Sequence, residues 1–249
     1  MTDTEERGRP EKTNKKQEKK TQVTIPANKK GRHINRWLDL FRLFVIPAYW
    51  LAYPFRFYGH KKVEDGPFLY ICNHYRGMDL VYPCCTTSES VRFLAKKEVL
   101  KPFFTGWTAK KIRIIPVSRD GKDVRGLMDC LKCLKNGEKV VLNPESTRNR
   151  TDAPLLPFKS GAALIAIKAQ VPVLPIMIYQ KPRHFRLNHI LVGEPFELSE
   201  YYGKKLTDEL LKEADEKLMR VMLDLRAEHE QFLLSKKRKR NKTTDSVDK

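Results

Sequence analysis

From residue 68 to residue 178 the chain repeats one pattern. A short apolar run is followed by polar or charged residues, and a segment with helical spacing leads to the next run. The five runs are residues 68–72, 91–95, 112–117, 139–143 and 171–178. Short apolar runs that alternate with helices are typical of buried strands in α/β proteins. We therefore expect an α/β domain whose largely parallel or mixed central sheet is flanked by helices.

Helical spacing is found at residues 79–85, 123–136 and 161–169, and as one helix or two at residues 206–234. Gly137 follows the second of these segments, where glycine commonly ends a helix. Cys130 and Cys133 lie inside the same segment, and no second pair of metal ligands lies nearby. We interpret them as ordinary helix residues, and we expect no metal site.

Length and charge limit the organisation of the chain. Its 249 residues suffice for one domain with its own core, and its net charge of +19 suits polyanions such as nucleic acid or anionic lipid headgroups. We expect disordered basic tails at residues 1–32 and 235–249 around a domain at residues 59–234. The five cysteines lack a disulfide framework spacing and no secretory signal peptide is evident, which favours a reducing cytosolic compartment.

The segment from Trp37 to Tyr58 is dense in aromatic and aliphatic residues and is interrupted by Pro47 and Pro54. Its uncharged core, residues 43–55, is shorter than the about 20 apolar residues that cross a bilayer. Arginines among aromatic rings are typical of segments that lie at headgroup depth. We therefore expect residues 33–58 to form an amphipathic helical segment at a membrane interface. The alternative is a pair of core helices kinked at the prolines.

A histidine and an aspartate lie five positions apart, directly after the first apolar run. They are His74 and Asp79, in the segment that begins at Asn73 and includes Arg76. An imidazole can take a proton from a hydroxyl, and a carboxylate fixes its tautomer and stabilises the imidazolium. The pair therefore predicts a general base, although this spacing alone also arises by chance.

Polar clusters follow three further runs, at the strand ends where α/β sheets usually bind ligands. They are Lys96 and Lys97, then Ser118, Arg119 and Asp120, and then Glu145, Ser146, Thr147 and Arg148. Each cluster taken singly fits a solvated charged surface or a surface ion pair. Together with the histidine and the aspartate, they predict a substrate that carries a nucleophilic hydroxyl and a phosphate.

Across residues 37–200 these segments resemble the glycerophospholipid acyltransferase family, specifically its 1-acyl-sn-glycerol-3-phosphate acyltransferases. The matching blocks are residues 73–79 (Asn-His, four residues, Asp), 96–98, 116–119, 144–148 with 158–161, and 171–175. Four residues depart from the family pattern: Arg76 replaces a small serine, Ser118 replaces aspartate, and Arg113 and Ser146 replace glycine. We expect Ser146 to be tolerated in a turn with negative φ.

The resemblance implies transfer of an acyl chain from acyl-CoA or acyl-carrier protein to the sn-2 hydroxyl of lysophosphatidic acid, giving phosphatidic acid in phospholipid biosynthesis. It implies that His74 and Asp79 are catalytic and that Asn73 and Arg76 are candidates for specificity. The implied substrate-binding residues are Lys96, Lys97, Arg119, Glu145, Ser146, Thr147 and Arg148. It implies no cofactor besides the acyl thioester. The expected partners are the two substrates, an anionic membrane surface and acyl-carrier protein, and the expected location is the cytoplasmic face of the cell membrane, as a peripheral or monotopic protein.

Two other interpretations stay open. Arg76, Arg113 and Ser118 allow an acyltransferase for another lysolipid, such as lyso-ornithine lipid. The net charge allows a basic nucleic-acid-binding protein, but the densest basic runs lie in the tails. Zinc-finger spacing and an RNA-recognition aromatic motif are both lacking, so we expect no nucleic-acid partner.

Overall fold

The computed structural model describes residues 33–60, 63–101, 103–118, 124–159 and 161–245. The tail expected at residues 1–32 lies outside this part of the chain. Arg119, a predicted substrate-binding residue, also lies outside it.

Seven strands form one mixed sheet. They are β1 (Phe55–Gly59), β2 (Leu69–Cys72), β3 (Val91–Lys96), β4 (Ile115–Val117), β5 (Lys139–Leu142), β6 (Val173–Ile178) and β7 (Asn188–Val192). Their order is β1-β7-β6-β2-β5-β3-β4. Strands β2 to β6 are parallel to one another, β7 is antiparallel to β6, and β1 is parallel to β7. The expected α/β class with a mixed central sheet is confirmed.

Helices flank the sheet on both faces. They are α1 (Arg36–Ala52), α2 (Val81–Cys85), α3 (Phe103–Lys111), α4 (Val124–Lys135), α5 (Ala162–Ala169) and α6 (Asp208–Asp245). Successive residues of β2 alternate between two apolar cores, because Leu69 and Ile71 pack with α4, α5 and α6, whereas Tyr70 and Cys72 pack with α1 and α2. Every residue of β2, β5 and β6 is buried, which explains why these strands are apolar except at Lys139, whose charge is paired with buried Glu89.

The segment expected to be helical from residue 33 to residue 58 contains one helix and one strand. Helix α1 ends at Ala52, and β1 pairs with β7 from Phe55 onward. Pro47 lies inside α1 without ending it. Tyr53 precedes Pro54, and a residue before proline is disfavoured in the helical region, which accounts for the end of the helix. The helical prediction for residues 55–58 is therefore wrong.

Other elements also differ from expectation. The segment at residues 206–234 contains a single helix, α6, which begins at Asp208, continues to Asp245 and so includes most of the expected C-terminal tail. Helix α3 and strand β7 were not predicted. The strand expected from residue 112 begins only at Ile115, because residues 112 and 113 form a turn.

The parallel strands β2 to β6 all end at the same edge of the sheet. Loops that follow β2, β3, β4 and β5 carry the polar clusters found in the sequence. Because β5 is the direct neighbour of β2, its loop meets the loop that contains His74 and Asp79. Strand β3 lies two positions from β2, which separates their ends by roughly 10 Å.

Candidate active site

His74 and Asp79 face each other in the loop between β2 and α2. Nδ1 of His74 lies 3.1 Å from Oδ2 of Asp79. The same carboxylate oxygen accepts the backbone N–H groups of Tyr75 and Arg76, both at 2.6 Å. The Asp79 side chain is 2% exposed and the His74 side chain is 22% exposed. A buried carboxylate at Nδ1 fixes that nitrogen as the N–H, and this leaves Nε2 as the base.

Glu145 supports this loop through hydrogen bonds from backbone N–H groups. One carboxylate oxygen accepts the backbone N–H of His74 at 3.1 Å, and the other accepts that of Leu156 at 3.2 Å. The side chain is fully buried. Burial raises the pKa of Glu145 to about 7, although the two backbone hydrogen bonds oppose the rise. The geometry therefore favours a supporting role for Glu145 over the predicted contact with substrate.

The side chain of Asn73 is also hydrogen-bonded to backbone groups. Its amide donates to the carbonyl of Ile178 at 3.0 Å and accepts the N–H of the same residue at 2.7 Å, so it joins the ends of β2 and β6. The side chain is 1% exposed. Asn143 adds a second clamp, because its amide donates to the carbonyl of Cys72 at 2.8 Å. The structure gives Asn73 a place in the scaffold, which does not fit the predicted role in specificity.

Arg148 lies beside the loop between β2 and α2 that contains His74 and Asp79, which we call the histidine loop. A Cβ atom added to Gly77 would come within 3.2 Å of Nη2 of Arg148, so the guanidinium packs against the glycine backbone. Arg148, Ser146 and Thr147 are all exposed. The structure thus brings one predicted phosphate-binding cation next to the histidine loop.

Lys96 and Lys97 lie farther from the histidine, at the end of β3. Lys97 donates from Nζ to Oγ of Ser118 at 2.6 Å, which joins the ends of β3 and β4. Lys96 is half-buried and stands in register with Val117 of β4. Because β3 lies two strands from β2, these lysines start roughly 10 Å from the end of β2, farther from His74 than the strand next to it.

Ser146 and Arg113 both adopt left-handed backbone, with φ of 55° and 59° respectively. The expectation that Ser146 lies in a turn with negative φ is wrong. Residues with a side chain pay about 1–2 kcal/mol in this region, whereas glycine does not. The glycine that the family usually has at both positions therefore suits this backbone better than the residues of this chain.

A family model described as Acyltransferase matches residues 54–179, a stretch that covers half of the chain and contains all of these loops. The chain belongs to the acyltransferase family. Within the matched stretch lie His74, Asp79, Glu145 and Arg148.

Known members of the acyltransferase family align with large parts of the chain. It is 36% identical to a chloroplastic 1-acyl-sn-glycerol-3-phosphate acyltransferase of Brassica napus over 119 residues, 46% of this chain and 33% of the relative. It is 29% identical to the 1-acyl-sn-glycerol-3-phosphate acyltransferase of Bacillus subtilis over 144 residues, 55% of this chain and 70% of that one. The chain spans about a third of the length of the Brassica napus relative and of a chloroplastic 1-acyl-sn-glycerol-3-phosphate acyltransferase of Arabidopsis thaliana.

The fold agrees with a solved acyltransferase. The crystal structure of the 1-acyl-sn-glycerophosphate acyltransferase PlsC from Thermotoga maritima superposes with a TM-score of 0.58 at 26% identity. The match covers 76% of this chain and 80% of that one.

Arg76 is the residue of this acyltransferase site that departs most from the family pattern. Its Nη1 donates to Oη of Tyr53 at 2.9 Å, and its guanidinium lies 5.0 Å from the centroid of the Tyr53 ring. Oη of Tyr53 is also hydrogen-bonded to Nε2 of His184. Sequence reasoning missed Tyr53 and His184, because they are 131 residues apart and belong to no motif.

The thiol of Cys72 precedes the histidine loop directly, but it is unsuited to act as a nucleophile. Cys72 is 1% exposed, and burial raises its pKa well above the usual range, followed by the effect of nearby Asp79. A neutral buried thiol is unreactive. Among the described residues, no group of three or more His, Cys, Asp or Glu side chains could hold a metal ion.

Proposed function

We propose that this chain transfers an acyl group from an acyl thioester to the sn-2 hydroxyl of 1-acyl-sn-glycerol-3-phosphate, which yields phosphatidic acid. One observation carries the proposal: the 3.1 Å contact between His74 and Asp79 at the end of β2, in a chain of the acyltransferase family. The names of the relatives and of the structural neighbour support this choice of acceptor.

His74 acts as the general base in the proposed mechanism. Nε2 takes the proton of the acceptor hydroxyl as its oxygen attacks the carbonyl carbon of the thioester, and Asp79 stabilises the imidazolium. The tetrahedral intermediate then collapses, the C–S bond breaks, and the thiolate leaves with the proton that His74 returns. The acyl group passes directly between the substrates, which fits the buried neutral thiol of Cys72. No cofactor besides the acyl thioester is required.

The acceptor phosphate binds to cations around the histidine loop. Arg148 is exposed and packs on Gly77 of that loop, so it is the first candidate. A guanidinium suits a phosphate because it can donate two parallel hydrogen bonds. Lys96 and Lys97 at the end of β3 extend the proposed set, and Arg119 is added to it from the sequence motif alone. Acyl-CoA or acyl-carrier protein supplies the thioester.

Helix α1 carries a large exposed apolar surface. Large apolar side chains project from its outer surface into solvent, namely Trp37, Leu40, Leu43, Phe44, Trp50 and Leu51. Nζ of Lys111 lies 4.9 Å from the Trp37 ring centroid, which gives the apolar surface a basic border. None of the described helices is long and apolar enough to span a bilayer. We therefore propose that α1 lies in the headgroup region of an anionic leaflet on the cytoplasmic side.

An acyl-transfer assay tests the function. Radiolabelled acyl-CoA and acyl-carrier protein are offered separately, with lysophosphatidic acid as acceptor, to the wild type and to His74→Ala. Loss of the base should lower kcat about 10²- to 10⁴-fold. His60→Ala is the matched control, since His60 follows β1, which ends at the opposite edge of the sheet. Near wild-type transfer by His74→Ala would refute the proposed base.

A second acceptor is favoured by Arg76, which extends from the histidine loop where the family usually has a small serine. A lysolipid with another headgroup, such as lyso-ornithine lipid, would meet a different surface there. Competition between this lipid and lysophosphatidic acid in the same assay distinguishes the two acceptors.

A further inference from the structure

The loop between β6 and β7 displays an unusual set of exposed side chains. Residues 180–187, which we call the β6–β7 loop, contain Lys181, Arg183 and Arg186 but no acidic residue. All three cations are exposed. Phe185, between Arg183 and Arg186, is 78% exposed, and Leu187, which follows them, is 48% exposed. An aromatic ring set among cations is typical of segments that meet the surface of an anionic bilayer.

The conformation of the loop is fixed by a buried residue. Asn188 is 1% exposed, and its Nδ2 shares two N–H groups among the carbonyls of Pro54, Arg183 and Arg186, at 3.0, 3.1 and 2.8 Å. Its side-chain oxygen accepts the N–H of Arg183 at 2.9 Å. The loop is therefore held in one shape that exposes its cations.

Phe185 is presented by a strained backbone. Its φ of 51° lies in the left-handed region, which a bulky residue rarely adopts. Its N–H donates to the carbonyl of Ala52, the last residue of α1, at 2.9 Å. This hydrogen bond sets the backbone of Phe185 beside the end of α1, where Leu51 is 69% exposed and Trp50 is 47% exposed. The apolar surface of α1 thus continues into the β6–β7 loop.

We propose that the β6–β7 loop is a second bilayer contact, in which Phe185 inserts at headgroup depth while Lys181, Arg183 and Arg186 bind anionic lipid headgroups. Charge complementarity and continuity with the apolar surface of α1 favour a bilayer over a protein partner. This inference rests on the membrane placement of α1 proposed above, and it adds a contact from a segment far away in the sequence.

The loop also lies next to the site. His184 is bonded to Tyr53, and Tyr53 accepts a hydrogen bond from Arg76 of the histidine loop. A leaflet held by the β6–β7 loop would therefore lie near the loop that contains Arg76 and His74. The two membrane contacts, α1 and the loop, meet at Ala52 and Phe185.

The role of the ring is tested with Phe185→Gly in the full chain. Glycine accepts the left-handed backbone, so this variant removes the ring without straining the loop. Gln170→Gly is the matched control, because Gln170 has the same φ of 51° at the end of α5, on the opposite face of the sheet. Co-sedimentation with phosphatidylcholine vesicles that contain phosphatidylglycerol should show about ten-fold weaker binding for Phe185→Gly and no change for Gln170→Gly.

The role of the cations is tested with the double variant Arg183→Gln/Arg186→Gln. At low salt its affinity for the same vesicles should fall about five-fold for each charge removed, and the loss should shrink as salt is added. Lys132→Gln/Lys135→Gln removes the same charge from exposed positions of α4, on the opposite face of the sheet, and should leave binding unchanged. Binding to pure phosphatidylcholine should respond to Phe185→Gly only.

Several outcomes would overturn the proposal. If both loop variants bind vesicles as tightly as the wild type, the loop does not contact the bilayer. If the α4 double variant loses as much affinity as the loop double variant, net charge alone explains the loss. A loop variant that changes the sedimentation coefficient without vesicles, while vesicle binding is unchanged, would assign the surface to self-association. The vesicle measurement involves no acyl transfer, and Phe44→Ser tests α1 separately. Failure of the loop, of the helix and of the proposed function are therefore distinguishable.

Discussion

Arg76 joins the end of helix α1 to the base of the site through Tyr53. Its Nη1 lies 2.9 Å from Oη of Tyr53, and its backbone N–H donates to Oδ2 of Asp79 at 2.6 Å. The same carboxylate oxygen holds His74. A residue that departs from the family pattern thus connects the proposed membrane helix to the general base.

We expect Arg76 and Tyr53 to be energetically coupled. A hydrogen bond to a charged group contributes about 1.5–3 kcal/mol, so Arg76→Ser should lower the free energy of unfolding by about 2 kcal/mol. Tyr53→Phe should cost about 1 kcal/mol, because the ring contact with the guanidinium remains. Urea unfolding of the two single variants and the double variant gives the coupling energy, which should exceed about 0.5 kcal/mol. Additive single effects would mean that the contact contributes no stability.

Arg148 should govern the binding of the phosphorylated acceptor. Removing a guanidinium that donates to phosphate costs about 1.5–3 kcal/mol, so Arg148→Ala should raise the apparent KM for lysophosphatidic acid about ten- to hundred-fold. The KM for the acyl thioester should stay the same. Arg150→Ala is the control, since Arg150 is exposed two residues further along the chain. Equal changes in the two variants would show that general surface charge, and not Arg148, attracts the acceptor.

The central strands were predictable from sequence because their surroundings leave a simple pattern. Residues of β2, β5 and β6 are buried on both faces, so these strands are apolar runs, with Lys139 at the start of β5 as the exception. Strand β1 lies at the sheet edge and is short, and its sequence continues the aromatic composition of α1 without a clear strand pattern. Sequence therefore assigned it to the helix.

In the site, the sequence predicted which residues are present, but it did not predict where all of their side chains point. The motif spacing predicted that His74 and Asp79 meet, because one short loop carries both. It did not predict that Glu145 and Asn73 turn toward backbone amides. Their orientation depends on the N–H groups of Leu156 and of Ile178 in β6, which the two side chains accept. Both N–H groups come from parts of the chain distant from the motif.

Replacing two residues by the family's glycine should stabilise the protein. Relief of left-handed strain gains about 1–2 kcal/mol, and the greater freedom of glycine in the unfolded chain offsets about 0.4–1 kcal/mol of it. Ser146→Gly and Arg113→Gly should therefore each raise the free energy of unfolding by about 0.5–1 kcal/mol. Ser235→Gly, within helix α6, should instead lower it. Thermal and urea unfolding compare the three variants, and a loss of stability in Ser146→Gly would mean that its side chain is needed in the turn.

Glu145 should make the protein less stable as the pH rises from 4.5 to 7. Burial raises the pKa of this carboxyl from 4.5 to about 7, so in this window the folded state holds a proton that the unfolded state has lost. Stability falls wherever the folded state binds more protons, and the total loss is on the order of 3 kcal/mol. Below pH 4.5 both states are protonated, and above pH 7 both are ionised, so the contribution is constant outside the window.

The variant Glu145→Gln isolates this effect, because an amide does not titrate. Its stability at pH 4.5 should be lower than that of the wild type, since one amide oxygen cannot accept both backbone N–H groups that bond to Glu145. Between pH 4.5 and pH 7 the gap between the two proteins should narrow. Urea unfolding across this range measures the gap, with the exposed Glu216→Gln as control. Parallel curves for wild type and Glu145→Gln would mean that Glu145 is ionised throughout, with a pKa near that of a solvent-exposed carboxyl.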